Sequence, residues 1–198
     1  MRTLRRAFFV FVPVSAIALL ALSTLAHGQA FGAPERFSAF AVQMHEGQSW
    51  TGSVDILITR WSTPAERDRL MALLIDEGPD ALLDALRGHQ PAGSLRTPSS
   101  LGQDLRLAWS EPAADGGRHV TVLTDRPIGF WEAMMRPRSI DYPLTIIEMQ
   151  IDRDGEGEGR MWIAARVTVN SMRDHIELED YALEPVRLMS IRSSRLTH

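Results

Sequence analysis

From Leu105 to Arg192 apolar residues recur at every second position, in short runs separated by turn-forming residues. Ile147, Met149 and Ile151 alternate with Glu148 and Gln150, and Val120 and Val122 share a face in the same way. Successive side chains of a strand point to opposite faces, so each run predicts a strand with one buried and one solvated side. Residues 37–45 and 53–61 carry the same signature. Val54, Ile56 and Ile58 are expected inward and Asp55 and Thr59 outward, with residues 46–52 as the connecting loop. A chain of short, closely spaced strands must bury one face and dispose of its edges, which restricts it to a few architectures.

Only the stretch from Thr63 to Gly88 departs from this period. Thr63-Pro64-Ala65-Glu66 supplies an N-cap, a proline at the first helical position and a glutamate that closes a capping box. Leu70, Leu73 and Leu74 form a helical stripe that Gly78 stops, and Pro79-Asp80 opens a second helix carrying Leu82, Leu83 and Leu86 to Gly88. A turn-rich stretch runs from Gly88 to Gly102. Beyond it Leu105, Leu107 and Trp109 are expected on one face, and Ala113-Ala114-Asp115-Gly116 is expected to turn the chain back.

A second hairpin joins 144–151 to 160–169. Ile147, Met149 and Ile151 should share a face with Met161, Ile163, Ala165 and Val167, so partner numbers must sum to an even value. A sum of 312 leaves residues 155–157 as the loop and sets Glu148 opposite Ala164. Strands at 175–180 and 186–192 complete the count. The expectation is a mainly β (α+β) domain: about eight antiparallel strands in a barrel or a sandwich, with a two-helix insert after the second strand.

Residues 1–30 stand apart. A basic start (Arg2, Arg5, Arg6), an apolar run from Ala7 to Ala26 and a small-residue end at Gly28-Gln29-Ala30 form the pattern of a secretory signal peptide. Arg5-Arg6-Ala7-Phe8-Phe9 also resembles a twin-arginine export signal. Residues 31–198 are then a single β-rich domain, secreted or periplasmic, with no stable membrane insertion once the signal is cleaved. Removing the three arginines leaves 18 basic residues against 25 acidic ones, a net charge of -7. That balance, with no basic stripe, argues against nucleic acid as a partner.

All 21 basic residues are arginine, and cysteine is absent. Disulfide frameworks, zinc ribbons and thiolate nucleophiles are thereby excluded, as are Walker-type and Schiff-base lysines. No Gly-x-Ser-x-Gly, Ser-x-x-Lys or His-Glu-x-x-His pattern occurs. No cofactor is expected. Asp152, Asp154 and Glu156 imitate the start of a calcium loop, but Ile163 stands where the bidentate glutamate belongs, and a solvated hairpin tip explains the run. His175, Glu177 and Glu179 alternate on a strand without partner histidines and read as a polar outer face.

The longest connection between strands in the second half, Asp125 to Pro143, reads as a short helix from Ile128 to Met135 whose Phe130 and Met134 cover an end of the sheet. The residues in it suited to contact a ligand are Arg126, Trp131, Arg136 and Tyr142. Asp125, Asp141 and Glu148 are the carboxylates an acid/base enzyme would use there. Trp162 falls on an otherwise polar face, which either a stacked arginine or the helical insert would explain.

Three segments, Arg138-Ser139-Ile140-Asp141-Tyr142-Pro143, Ile147-Glu148-Met149 and Ile176-Glu177-Leu178-Glu179-Asp180-Tyr181 with Pro185-Val186-Arg187-Leu188, resemble exported bacterial proteins of unassigned function. The resemblance implies an exported chain and transfers no activity or site. The functional expectation is an exported, non-enzymatic binding or interaction domain for an unidentified protein or small-molecule partner, its oligomeric state open. A periplasmic hydrolase or isomerase using carboxylates is the alternative.

Overall fold

The computed structural model describes residues 32–45, 48–98, 100, 102–126, 144–169, 176–180 and 184–196. All of them belong to one compact unit, Phe31–His198. The signal-peptide expectation concerns residues outside that description.

A β-hairpin opens the fold, β1 (Glu35–His45) and β2 (Gln48–Ile58). Two helices follow, α1 (Pro64–Asp76) and α2 (Pro79–Gly88), and then the short strands β3 (Gly93–Arg96) and β4 (Gln103–Leu105). The remainder is β5 (Leu107–Pro112), β6 (Arg118–Thr124), β7 (Leu144–Ile151), β8 (Glu156–Val169), β9 (Ile176–Asp180) and β10 (Val186–Arg195). Every pairing is antiparallel, and the strands run in the order β4-β3-β2-β1-β10-β8-β7-β6-β5.

The two ends of this path are separated in sequence by Arg106 alone. One segment therefore pairs with β3 through its first half and with β6 through its second, which bends the sheet into a nearly closed barrel. Of the two expected architectures, the barrel is the one formed. The pair β9 and β10 repeats the device: Ala165 of β8 meets Leu144 on one edge and Asp180 on the other, so β9 and β10 lie end to end along the same edge of β8.

The helical insert forms as the sequence indicates. Thr63 Oγ1 accepts from the Glu66 amide at 3.2 Å, and the Glu66 carboxylate accepts from the Thr63 amide at 2.7 Å. Leu70, Leu74, Leu82, Leu83 and Leu86 pack on the outer face of the barrel against Leu107, Leu123, Ile146 and Val167. Trp162 packs beside them, so the helices account for its position. The lumen holds a second, separate core, with Phe37, Ile56, Leu95, Val122, Ile147 and Met161 each at 1% exposure or less. The strands β5 to β8 are thus apolar on both faces at one end, which a simple two-period reading does not register.

Five expectations are corrected. Residues 48–52, expected in the connecting loop, extend β2, which pairs with β1 down to Gln48 opposite His45. Residues 88–102 contain β3, too short to show a period. Leu105 faces the lumen while Leu107 and Trp109 face the helices, because the break at Arg106 inverts the alternation. Between Leu144 and Ile146 the ladder slips by one residue, so Met161 and Ile163 point inward but Ala165 and Val167 outward. The β7–β8 partners sum to an even number as expected, but to 308 and not 312: Glu148 faces Arg160, and the loop is Arg153-Asp154-Gly155. Gly155, at φ 84°, takes the left-handed position of a three-residue turn, and Asp152 Oδ1 accepts from the Asp154 and Glu156 amides. The turn after β5 is built alike, with Gly116 also at φ 84°.

One end of the lumen is charged. Glu35, 3% exposed, receives both Nη atoms of Arg118 from the opposite wall, and that guanidinium stands 5.6 Å from the Phe37 ring. The other end is neutral and polar: Thr145 Oγ1 donates to the Ile163 carbonyl at 2.7 Å, and Thr124 and Gln103 converge on the Arg126 carbonyl.

Candidate functional site

Among the described residues the helices cover only one end of the β5–β8 outer face, and nothing packs on the rest of it. The strand registers arrange it in rows. The last covered row is Leu107, Leu123, Ile146 and Trp162; the next runs from Trp109 through Thr121, Glu148 and Arg160 to Arg187. Beyond it lie Glu111, His119, Gln150 and Glu158. Four strand spacings make the row from Trp109 to Arg187 roughly 19 Å long.

Thr121, Glu148, Arg160 and Arg187, with the row beyond them, line a groove of about 900 Å³, while Trp109 packs against the helices. At one end the Glu111 carboxylate, which lines the groove, pairs with the Arg67 guanidinium of α1. Glu184 and Pro185 stand on the far side. At that end Met189, 50% exposed, faces Phe40 of β1, 60% exposed. A bulge explains the pair's prominence: Ser190, at φ 51°, is an extra residue relative to both neighbouring strands and interrupts the alternation just beyond Met189.

Polar groups of both signs line the groove. Glu148 and Arg160 are direct cross-strand partners, and Arg187 is the next residue along the row. Like charges facing one another on adjacent strands are unfavourable. Arg160 and Arg187 stand side by side at the β8–β10 end of the groove, with Glu148, Glu158 and Glu184 around them.

Of the four residues expected to touch a ligand, the structure describes Arg126. It is exposed, at the neutral end of the lumen and remote from the groove rows, with its carbonyl held by Thr145 Oγ1 at 3.2 Å and Gln103 Nε2 at 2.9 Å. Trp131, Arg136 and Tyr142 lie outside the described residues, as does the expected helix 128–135. Sequence reasoning missed the groove because its residues come from five strands and are adjacent only through register.

The carboxylates of the acid/base alternative are not brought together. Asp125 contacts Arg106 Nε at 3.2 Å, an ion pair whose angle is too poor for a hydrogen bond. Glu148 lies in the groove, and Asp141 is outside the described residues. Among the described residues two carboxyls have displaced pKa values, and both move down. At Glu66 partial burial pushes upward, but the Thr63 amide and Arg60, bound at 2.8 Å, outweigh it. At Asp115 the Gly117 amide is the main cause.

Among the described residues no three His, Asp or Glu side chains converge as metal ligands. The Asp152 carboxylate is used within its own turn. No described helix is long and apolar enough to cross a membrane. Comparison with protein-family models, characterised proteins and solved structures finds no match to this chain.

Proposed function

We propose that this chain is an exported binding domain that meets its partner on the outside of its barrel, in the groove across β5, β6, β7, β8 and β10. One observation carries the reading: the lumen is filled. Phe37, Ala41, Ile56, Val122, Ile147 and Met161 meet there at 0% exposure, so the barrel is built as a support and not as a container. The groove is a large concavity among the described residues, and the strands that line it have their other faces locked in the core. Export is supported by the pattern of residues 1–30.

The acid/base alternative needs a carboxyl with a raised pKa in a cleft. Of the described carboxylates of that alternative, Asp125 pairs with Arg106 at 3.2 Å and Glu148 stands opposite Arg160 on the neighbouring strand, so the two share no cleft. The binding reading is therefore preferred.

The test is site-specific photo-crosslinking in the producing cell. A photoreactive residue at Thr121 or Gln150 is expected to yield a discrete adduct, and one at Asp80 on the exposed face of α2 is not. Absence of adducts from both groove positions, or an apolar guest co-purifying in the lumen, overturns the reading.

A further inference from the structure

On its side away from β1, β2 pairs with β3 over Asp55–Ile58 alone. Among the described residues nothing pairs with the remaining edge, Gln48–Val54. The seven residues Gln48-Ser49-Trp50-Thr51-Gly52-Ser53-Val54 carry no charge and no proline, and their ladder with β1 runs without a bulge. Proteins protect bare edges with those very devices, because a row of free N–H and C=O groups is a template for another strand. Here none is present over a length of roughly 24 Å.

We propose that this edge pairs with the same edge of a second copy of the chain, antiparallel about a two-fold axis at Thr51. Antiparallel pairing of identical strands is self-complementary in its backbone hydrogen bonds, and a two-fold contact closes on itself without extending into a fibre. Charge selects the partner. Two exported chains that each carry -7 can approach along an uncharged strip, whereas the groove rows would set like charges together. Thr51 then faces Thr51 of the partner subunit, a favourable cross-strand pair, and exposed Ser53 keeps the outer face polar. So small an interface gives a weak dimer, with Kd on the order of 10–100 µM. This inference is independent of the groove.

The cysteine-free chain allows a direct test. In the dimer the two Thr51 Cβ atoms lie about 5 Å apart, so the Thr51→Cys chain should form an intermolecular disulfide on mild oxidation. Ser194→Cys, exposed on β10, should not. Sedimentation equilibrium of the unaltered chain should show a monomer–dimer equilibrium that Ser53→Lys weakens by about tenfold or more. Equal cross-linking of the two cysteine variants, a chain monomeric at about 1 mM, or amides of Thr51 and Ser53 protected from exchange in dilute monomer overturns the proposal. The last result would mean that the chain covers its own edge.

Discussion

Glu66 shows how much one side chain is asked to hold. Its carboxylate closes the capping box of α1, pairs with Arg60 at 2.8 Å and lies 3.6 Å from His89 at the end of α2. Its pKa is lowered in the fold, so the stability it adds is complete above about pH 4.3, its unfolded value, and is lost as pH falls through the lower folded value. Glu66→Gln should flatten that acid limb in urea titrations while costing about 1 kcal/mol at neutral pH. Glu35 is the harsher case. Replacing it by Gln leaves Arg118 pointing into the lumen unpaired and should cost about 2–4 kcal/mol, whereas the pair Glu35→Leu with Arg118→Met should cost less than the single change. Equal losses in chemical denaturation would show that the ion pair is not the unit that matters.

Among the elements, β8 carries two glycines at close approaches to its neighbour. Gly157 and Gly159 occupy inward positions where a Cβ would overlap the carbonyl oxygens of Gln150 and Glu148 on β7. The close approach leaves room for hydrogen there and for no larger group. Gly159→Ala should therefore cost about 2–3 kcal/mol, read from the denaturation midpoint. Gly155→Ala, at φ 84° in an exposed turn, should cost only about 1–2 kcal/mol. If the order of the two is reversed, the packing account of β8 fails.

For the whole molecule, the decisive fact is that β5 to β8 serve two cores at once. Val122 and Ile147 fill the lumen while their sequence neighbours Leu123 and Ile146 receive the helices. Neither core can melt without exposing strands of the other. Helix and barrel should unfold in one cooperative transition, with far-UV and near-UV circular dichroism tracing the same midpoint. A helical signal lost at lower denaturant would show the insert to be a separate unit. Naphthalene-type dyes should stay dark with the native chain, because the filled lumen has no room for them.

Much of this was legible in the sequence, and the reason is local. Thr63, Pro64, Glu66 and Gly78 set helix ends through backbone chemistry within four residues, and period-two alternation in 54–58 and 147–151 reports a buried face wherever the ladder is regular. The parity of the β7–β8 register followed from that alternation. Its value did not, because Gly155 and not Gly157 takes the left-handed turn position. What lay beyond reach was everything that changes phase without changing composition: the break at Arg106, the slip between Leu144 and Ile146, the bulge at Ser190. Those three irregularities decide which face each strand shows, and only the closing of the sheet on itself determines where they fall. The groove is a product of that closure. Its residues are at most a few positions apart along each strand, and strand pairing alone makes Thr121, Glu148, Arg160 and Arg187 neighbours.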